Sequence, residues 1–157
     1  TIGITAFNCS KYLYNTIRSV LDQDTALWSG ILVLDGCADK QTRKIFQKFN
    51  HPKFQKYAFK ENQGPFGTRA RAIELSDTEW YYQLDGDDIL PTNAIGDVVD
   101  AIEKNPDSEF VYGNCEHFSE TISQLKKPTN DPETLCFGPL FNAVSPIKKS
   151  LFEFLII

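Results

Sequence analysis

Asp85-Gly86-Asp87-Asp88 crowds three carboxylates into four positions, directly behind the apolar run Trp80-Tyr81-Tyr82-Gln83-Leu84. Like charges at a strand end repel one another and cost stability unless a cation or hydrogen-bond donors offset them. Hard divalent cations such as Mg²⁺ or Mn²⁺ do this through oxygen ligands, and Mg²⁺ sites commonly share the ion with substrate phosphates. The chemistry to expect is therefore a cation site that handles a phosphorylated substrate. Asp and Gly are also ordinary turn residues, so the cluster alone leaves a plain loop as an alternative.

Three other residues extend this chemistry. Asp35 closes the apolar run Ile31 to Leu34 and offers an acceptor for a base N–H or a ribose hydroxyl, or else an Asx turn. Arg69 follows the turn Gly64-Pro65-Phe66-Gly67 near an expected helix start, where a guanidinium and the helix N-terminus together favour a diphosphate; a surface ion pair is the plainer reading. Phe7 ends the first apolar run, in place either to stack on a base or to fill the core. The Gly64 turn is not a P-loop, since no Gly-Lys-Ser/Thr follows; Gly-x-Gly-x-x-Gly and G-x-S-x-G are absent too. Neither a nucleotide-binding dehydrogenase nor a serine hydrolase is supported.

The elements that must hold these residues follow from periodicity. Ile2 to Phe7 reads as a short buried strand ending at Asn8. Ser10 is placed to cap a helix whose face is Leu13, Ile17, Val20 and Leu21. Ile31 to Leu34 has the pattern of a strand buried on both faces. Asp39 caps a second helix with Ile45, Phe46 and Phe49 inward, and Lys56 to Phe59 is a third strand. A third helix spans about Thr68 to Leu75, and a fourth carries Ile95, Val98, Val99 and Ile102 and ends at Asn105-Pro106-Asp107. Phe110-Val111-Tyr112 reads as the next strand, and Glu116 to Pro132 as a polar loop. Strands alternating with helices imply an α/β fold, three layers α/β/α around a mostly parallel sheet. In such a sheet ligands bind outside the carboxyl ends of the strands, where Thr5-Ala6-Phe7-Asn8, Asp35 to Asp39 and Asp85 to Asp88 all fall.

With 157 residues, 41% of them hydrophobic, the chain can build one domain with a real core. A net charge of −5 and the lack of a basic stripe argue against nucleic acid as a partner. The apolar stretches are strand-sized, so no transmembrane segment or signal peptide is expected. Cys9, Cys37, Cys115 and Cys136 form no C-x-x-C pair, and His51 and His117 stand apart. Reduced thiols in a cytoplasmic protein are the expectation. There is no methionine, even at position 1, and the chain stops on Leu155-Ile156-Ile157, which fits a partial chain.

Taken in order, these segments resemble family 2 glycosyltransferases of the GT-A fold. Thr5-Ala6-Phe7-Asn8 stands for the family's Thr-Tyr-Asn strand end. Leu13, Ile17, Ser19, Val20, Leu21 and Gln23 match its first helix, and Leu34-Asp35-Gly36-Cys37-Ala38-Asp39 with Thr42 matches Val-Asp-Asp-Gly-Ser-x-Asp-x-Thr less one residue. Asn62-Gln63-Gly64, Thr68-Arg69-Ala70 and Leu84-Asp85-Gly86-Asp87-Asp88 follow in sequence, with Ala70 where the family has Asn and Pro91 one residue early. The resemblance covers roughly residues 1–115, the nucleotide-sugar-binding half of a single GT-A domain; residues 116–157 are the incomplete start of the acceptor-side half. In that later part Gly138-Pro139-Leu140 and Ser145-Pro146-Ile147 look like the segment before the family's Gly-Gly-Phe turn.

The resemblance implies transfer of a sugar, with inversion, from a UDP- or GDP-sugar to a hydroxyl of a glycan or lipid-linked acceptor in polysaccharide or glycoconjugate synthesis. Thr5, Ala6, Phe7, Asn8, Asp35, Arg69, Asp85, Gly86 and Asp88 would hold the nucleotide sugar, and Asp87 with Asp85 the Mg²⁺ or Mn²⁺. Peripheral association with the inner face of the membrane is compatible with this. No residue is identifiable as the general base; Asp131 and Glu133 are acids in the right part of the chain without a placed role. A non-catalytic binding module of the same fold is the alternative. A sugar-1-phosphate nucleotidyltransferase is disfavoured, because Asn8-Cys9-Ser10-Lys11 is not its Gly-rich turn.

Overall fold

The computed structural model describes residues 1–36, 39–113, 115–118, 122–125 and 145–152. Four parallel strands form the centre: β1 (Ile2–Ala6), β2 (Gly30–Asp35), β3 (Phe54–Phe59) and β4 (Trp80–Asp85). A hairpin, β5 (Cys115–Phe118) and β6 (Ile122–Leu125), lies apart from them, and β7 (Pro146–Lys148) adds antiparallel to β4. The sheet order is β3-β2-β1-β4-β7. The chain builds outward from β1 through β2 to β3, then returns to the other side of β1. The topological switch point lies between β1 and β4, which is where a ligand crevice is expected.

Helices α1 (Leu13–Leu21), α2 (Lys40–Lys48), α3 (Gly64–Leu75) and α4 (Ala94–Lys104) complete the three layers. Strand alternation decides which face each residue serves. Ile2, Ile4, Ala6, Leu32, Leu34 and Leu84 point to one face and pack with Leu13, Ile17 and Val20 of α1, Phe46 of α2 and Ile95 of α4. Ile31, Val33 and Tyr81 point to the other and meet Ala72 and Ile73 of α3. By the same period of two, Thr5, Asp35, Gln83 and Asp85 lie on the α3 face. The apolar part of that face is the core, and its polar carboxyl end is left for the site.

Several sequence expectations need correction. Ser10 is not the cap of α1: Tyr12 occupies that position without a side-chain cap, since the chain first turns through residues 10–12. Gly64 to Gly67 is not a turn ahead of a helix but the first turn of α3, where Pro65 gives up an N–H that has no partner anyway. Phe110 to Tyr112 is not a strand. Phe110 makes one isolated bridge to Ile147, and although the Val111 N–H donates to the Pro146 carbonyl at 2.9 Å, proline has no N–H to return. Part of the expected polar loop is the β5–β6 hairpin. Cys37, Ala38, Cys136, Asp131, Glu133 and Gly138 to Leu140 lie outside the described residues.

Candidate functional site

The polar end of the α3 face opens into a cavity of about 320 Å³ lined by Thr5, Ala6, Phe7, Cys9, Asp35, Asn62, Gly64, Pro65, Thr68, Arg69, Asp85, Gly86 and Asp87. Of the residues singled out from sequence, Thr5, Ala6, Phe7, Asp35, Arg69, Asp85, Gly86 and Asp87 share it, although they come from four separate segments of the chain. Asn8 and Asp88 do not line it.

Asp35 ends β2 and is only 3% exposed. Both its oxygens are engaged: the Gln63 N–H donates to Oδ1 at 2.6 Å and the Asn62 amide to Oδ2 at 3.1 Å. Asn62 in turn accepts from the Gly64 N–H at 3.1 Å, so the loop leading into α3 is pinned to the end of β2. Gly36 makes this approach possible. Its φ is +48°, and a Cβ there would lie 2.2 Å from the Glu61 carbonyl carbon and 2.3 Å from the Asn62 nitrogen.

Asp85 faces Thr5 across the β1–β4 register. A single guanidinium nitrogen, Arg69 Nη2, donates to both carboxylate oxygens, at 3.0 and 2.7 Å. Gln83 Nε2 donates to Oδ1 at 3.0 Å, and Thr5 Oγ1 to the same oxygen at 3.2 Å. Arg69 sits in the second turn of α3, one helical turn deeper than the sequence suggested, which is what brings it over the end of β4. Its Nε is buried and has no hydrogen-bond partner among the described residues. Among the described residues that donor has no acceptor, and it belongs to a side chain that lines the cavity.

The acidic loop is anchored from α1. The Gly86 N–H donates to the Thr5 carbonyl at 2.9 Å, and Thr16 Oγ1 donates to the Gly86 carbonyl at 3.0 Å. A Cβ on Gly86 would lie 2.8 Å from Cys9 Sγ and 2.9 Å from the Thr5 oxygen, so the loop passes β1 at the closest approach that glycine permits. The Leu90 N–H donates to Ser19 Oγ at 3.1 Å. Gln23 donates to the Pro91 carbonyl at 2.7 Å and accepts from the Ile95 N–H at 2.9 Å. The Ser-Val-Leu-x-Gln pattern of the first helix is thus a set of supports for the loop carrying Asp87.

Asp87 is exposed at the cavity wall, and no hydrogen bond or ion pair reaches its side chain among the described residues. Asp88 is half-buried, and its N–H closes a turn onto the Asp85 carbonyl at 3.0 Å. Burial, with the Asp88 charge adding, pushes the Tyr82 phenol up to about 12. Asn8 has φ +47°, a conformation that Asn tolerates, and its Oδ1 accepts from the Asp39 N–H at 3.0 Å. It ties β1 to the start of α2 rather than facing the cavity. Asp39 caps α2 as expected, and donors from Thr42, Ser10 and the Gln41 backbone hold its carboxyl far below the usual carboxylate range.

The family model for glycosyl transferase family 2 matches residues 1–151. The chain belongs to that family. It is 29% identical over 113 residues to the chondroitin synthase of Escherichia coli, a match spanning 71% of this chain and 16% of that protein. It is 28% identical over 109 residues to the processive diacylglycerol beta-glycosyltransferase of Mycoplasma genitalium, spanning 66% of this chain and 32% of the other. In fold it is similar to the crystal structure of S. aureus TarS 1-349 in complex with UDP-GlcNAc, with a TM-score of 0.81, 14% identity, and coverage of 98% of this chain and 46% of that one. The fold is GT-A. The chain therefore spans less than half the length of each of these proteins, and no described helix is long and apolar enough to cross a membrane.

Sequence reasoning missed Gln83, Cys9, Thr68 and the clamp formed by Asn62. A polar residue at an inward strand position was the signal for Gln83.

Proposed function

We propose that this chain is the nucleotide-sugar-binding half of a glycosyltransferase that moves a sugar from a nucleoside-diphosphate sugar to an acceptor hydroxyl, with inversion, in polysaccharide or glycoconjugate synthesis. The observation that carries the reading is the convergence of Thr5, Phe7, Asp35, Arg69, Asp85 and Asp87 on one cavity at the switch point of the sheet. The fold neighbour whose crystal structure holds UDP-GlcNAc supports the same ligand class.

Each group has a job in that reading. Phe7, 47% exposed at the cavity, offers its ring to a base. Asp35, held rigid by Asn62 and Gln63, presents an acceptor to a base N–H or ribose hydroxyl. Arg69 brings positive charge to the diphosphate side and keeps Asp85 in place as its nucleotide-side neighbour. Asp88, outside the cavity lining, serves the donor side only through the turn its N–H closes onto the Asp85 carbonyl, and Asn8 fixes the strand end.

The donor set fits a divalent cation only in company with substrate. Among the described residues no three His, Cys, Asp or Glu side chains gather into a cage. Asp87 is an exposed carboxylate of the kind that binds Mg²⁺ or Mn²⁺ together with substrate phosphates and water. Asp85, the second expected ligand, already carries the Arg69 charge on both oxygens, which supports giving Asp87 the principal role. When bound, such a cation neutralises charge on the departing diphosphate.

Calorimetry of UDP and GDP with Mn²⁺ tests this. Asp87→Asn is expected to weaken Mn²⁺-dependent binding at least about tenfold, the loss of one charge-assisted ligand. Equal affinity in variant and wild type refutes the cation role, and absence of nucleotide binding by the wild type refutes the function.

A further inference from the structure

Gln83 and Tyr81 take no part in the reading above, yet both lie on the same strand face as Asp85, at successive inward positions of β4. The Tyr81 hydroxyl donates to Gln83 Oε1 at 2.7 Å. Gln83 Nε2 donates to Asp85 Oδ1 and to Thr5 Oγ1, each at 3.0 Å, with the Leu84 carbonyl at 3.3 Å. Tyr81 is 1% exposed and Gln83 5%. We propose that Gln83, oriented by Tyr81, is a positioning residue that sets the Asp85 carboxylate, and through it Arg69, for the nucleoside diphosphate.

The direction of the Gln83 amide is forced. An amide can present either its oxygen or its nitrogen to a neighbour, and only the nitrogen is tolerated against a carboxylate. With Nε2 committed to Asp85 and Thr5, Oε1 must face inward and needs a donor in a region closed to water. Tyr81 is that donor. Burial raises its phenol well above the ordinary range, so it stays protonated and keeps the proton it donates to Gln83, while Asp85 fixes the polarity of the amide. The ring has room only because residue 3 is glycine: a Cβ there would lie 2.1 Å from the Tyr81 hydroxyl oxygen. Removing the hydroxyl leaves Oε1 buried without a partner, and a flip brings no relief because it turns that oxygen toward Asp85, so the amide gains only by shifting off the carboxylate.

This inference rests on the nucleoside-diphosphate reading, and two measurements separate the two. In the ¹⁵N spectrum of glutamine-labelled protein, the Gln83 side-chain amide pair is expected to exchange slowly and to shift in both Tyr81→Phe and Asp85→Asn. In calorimetry with UDP and Mn²⁺, Gln83→Leu is expected to bind about tenfold more weakly, the loss of one hydrogen bond to a charged group, and Tyr81→Phe, which acts through that bond, to bind more weakly by no more than this. In the Gln83→Leu background, Tyr81→Phe is expected to add nothing, because tyrosine acts only through the amide. Folded Gln83→Leu with wild-type affinity overturns the proposal. So does a Tyr81→Phe effect of equal size in both backgrounds, which marks a merely structural tyrosine. If Gln83→Leu does not fold, Tyr81→Phe with unshifted Gln83 amide signals is the overturning result. Should the wild type bind neither UDP nor GDP, the nucleotide reading falls, and the amide shifts alone decide the positioning claim.

Discussion

Gly36→Ala is the sharpest probe of how this fold builds its site. Residue 36 has φ +48°, where an L side chain costs about 1–2 kcal/mol. The added Cβ would also lie 2.2 and 2.3 Å from backbone atoms of Glu61 and Asn62, which are not ends of flexible side chains and can move only with their loop. Relief of that overlap draws the loop off the end of β2. The Gln63 N–H and the Asn62 amide then leave Asp35, a carboxylate only 3% exposed. Overpacking costs about 1–3 kcal/mol, and weakening hydrogen bonds to a buried charge adds about 1.5–3 kcal/mol. With the cost of the positive φ included, the sum, about 3.5–8 kcal/mol, is a large share of the roughly 5–15 kcal/mol typical of a domain. At about 2–4 °C per kcal/mol, Tm by circular dichroism falls by about 7–32 °C. Gly36→Asn separates the causes: Asn tolerates the positive φ but carries the same Cβ, so it should recover only the conformational cost, about 2–8 °C in Tm over Ala. A Gly36→Ala variant melting within about 2 °C of wild type refutes the reasoning, as the clamp would then not depend on that close approach.

The other predictions follow from the same contacts. Arg69→Gln removes the guanidinium from Asp85, whose side chain is 32% exposed against 26% for Arg69, and UDP affinity by calorimetry should fall at least about tenfold. Asp39→Ala removes a carboxylate whose folded-state pKa lies below its unfolded value of about 3.9. Its stabilisation is complete above that value and lost as pH falls through the range below it, so the Tm gap to wild type should be constant from about pH 5 to 8 and close below about pH 4. EDTA should leave the Tm of the nucleotide-free protein unchanged, while Mn²⁺ with UDP at about a hundred times Kd should stabilise it by about 2.7 kcal/mol, and Mn²⁺ alone by much less.

How much of this was legible beforehand depended on distance along the chain. The run Trp80 to Leu84 marked a strand, and so placed Asp85 to Asp88 at its carboxyl end. The Asp39 cap and the apolar faces of α1 and α4 are local patterns within one or two turns, and they stood. The start of α3 was misplaced because Gly64 and Pro65 read as turn residues, although proline suits a first helical turn. The β5–β6 hairpin was missed because four-residue strands with mixed polarity carry almost no alternation. What the sequence could not show was pairing. The donors to Asp35 lie 27 and 28 residues away, and Arg69 lies 16 residues before the carboxylate it holds. Gln83 looked like a polar interruption of an apolar strand until Thr5 and Asp85 were seen on either side of it.

The crowding of three carboxylates, which first pointed to a cation, is resolved by giving each a different surrounding. Asp85 is neutralised from within by Arg69 and further satisfied by Thr5 and Gln83. Asp88 is half-buried behind a backbone turn, near Tyr82. Only Asp87 is left exposed at the cavity wall without a described protein partner. The charge of the cluster is therefore partly offset from within the protein, and the negative charge that remains exposed is on one residue facing the cavity. A cation drawn there alone would meet a single carboxylate, which water competes with easily; a diphosphate alone would meet that same carboxylate and be repelled. Each becomes favourable in the presence of the other. Under the proposed function, metal and nucleotide are therefore expected to bind together, a thermodynamic coupling that would follow from Arg69 having already claimed Asp85.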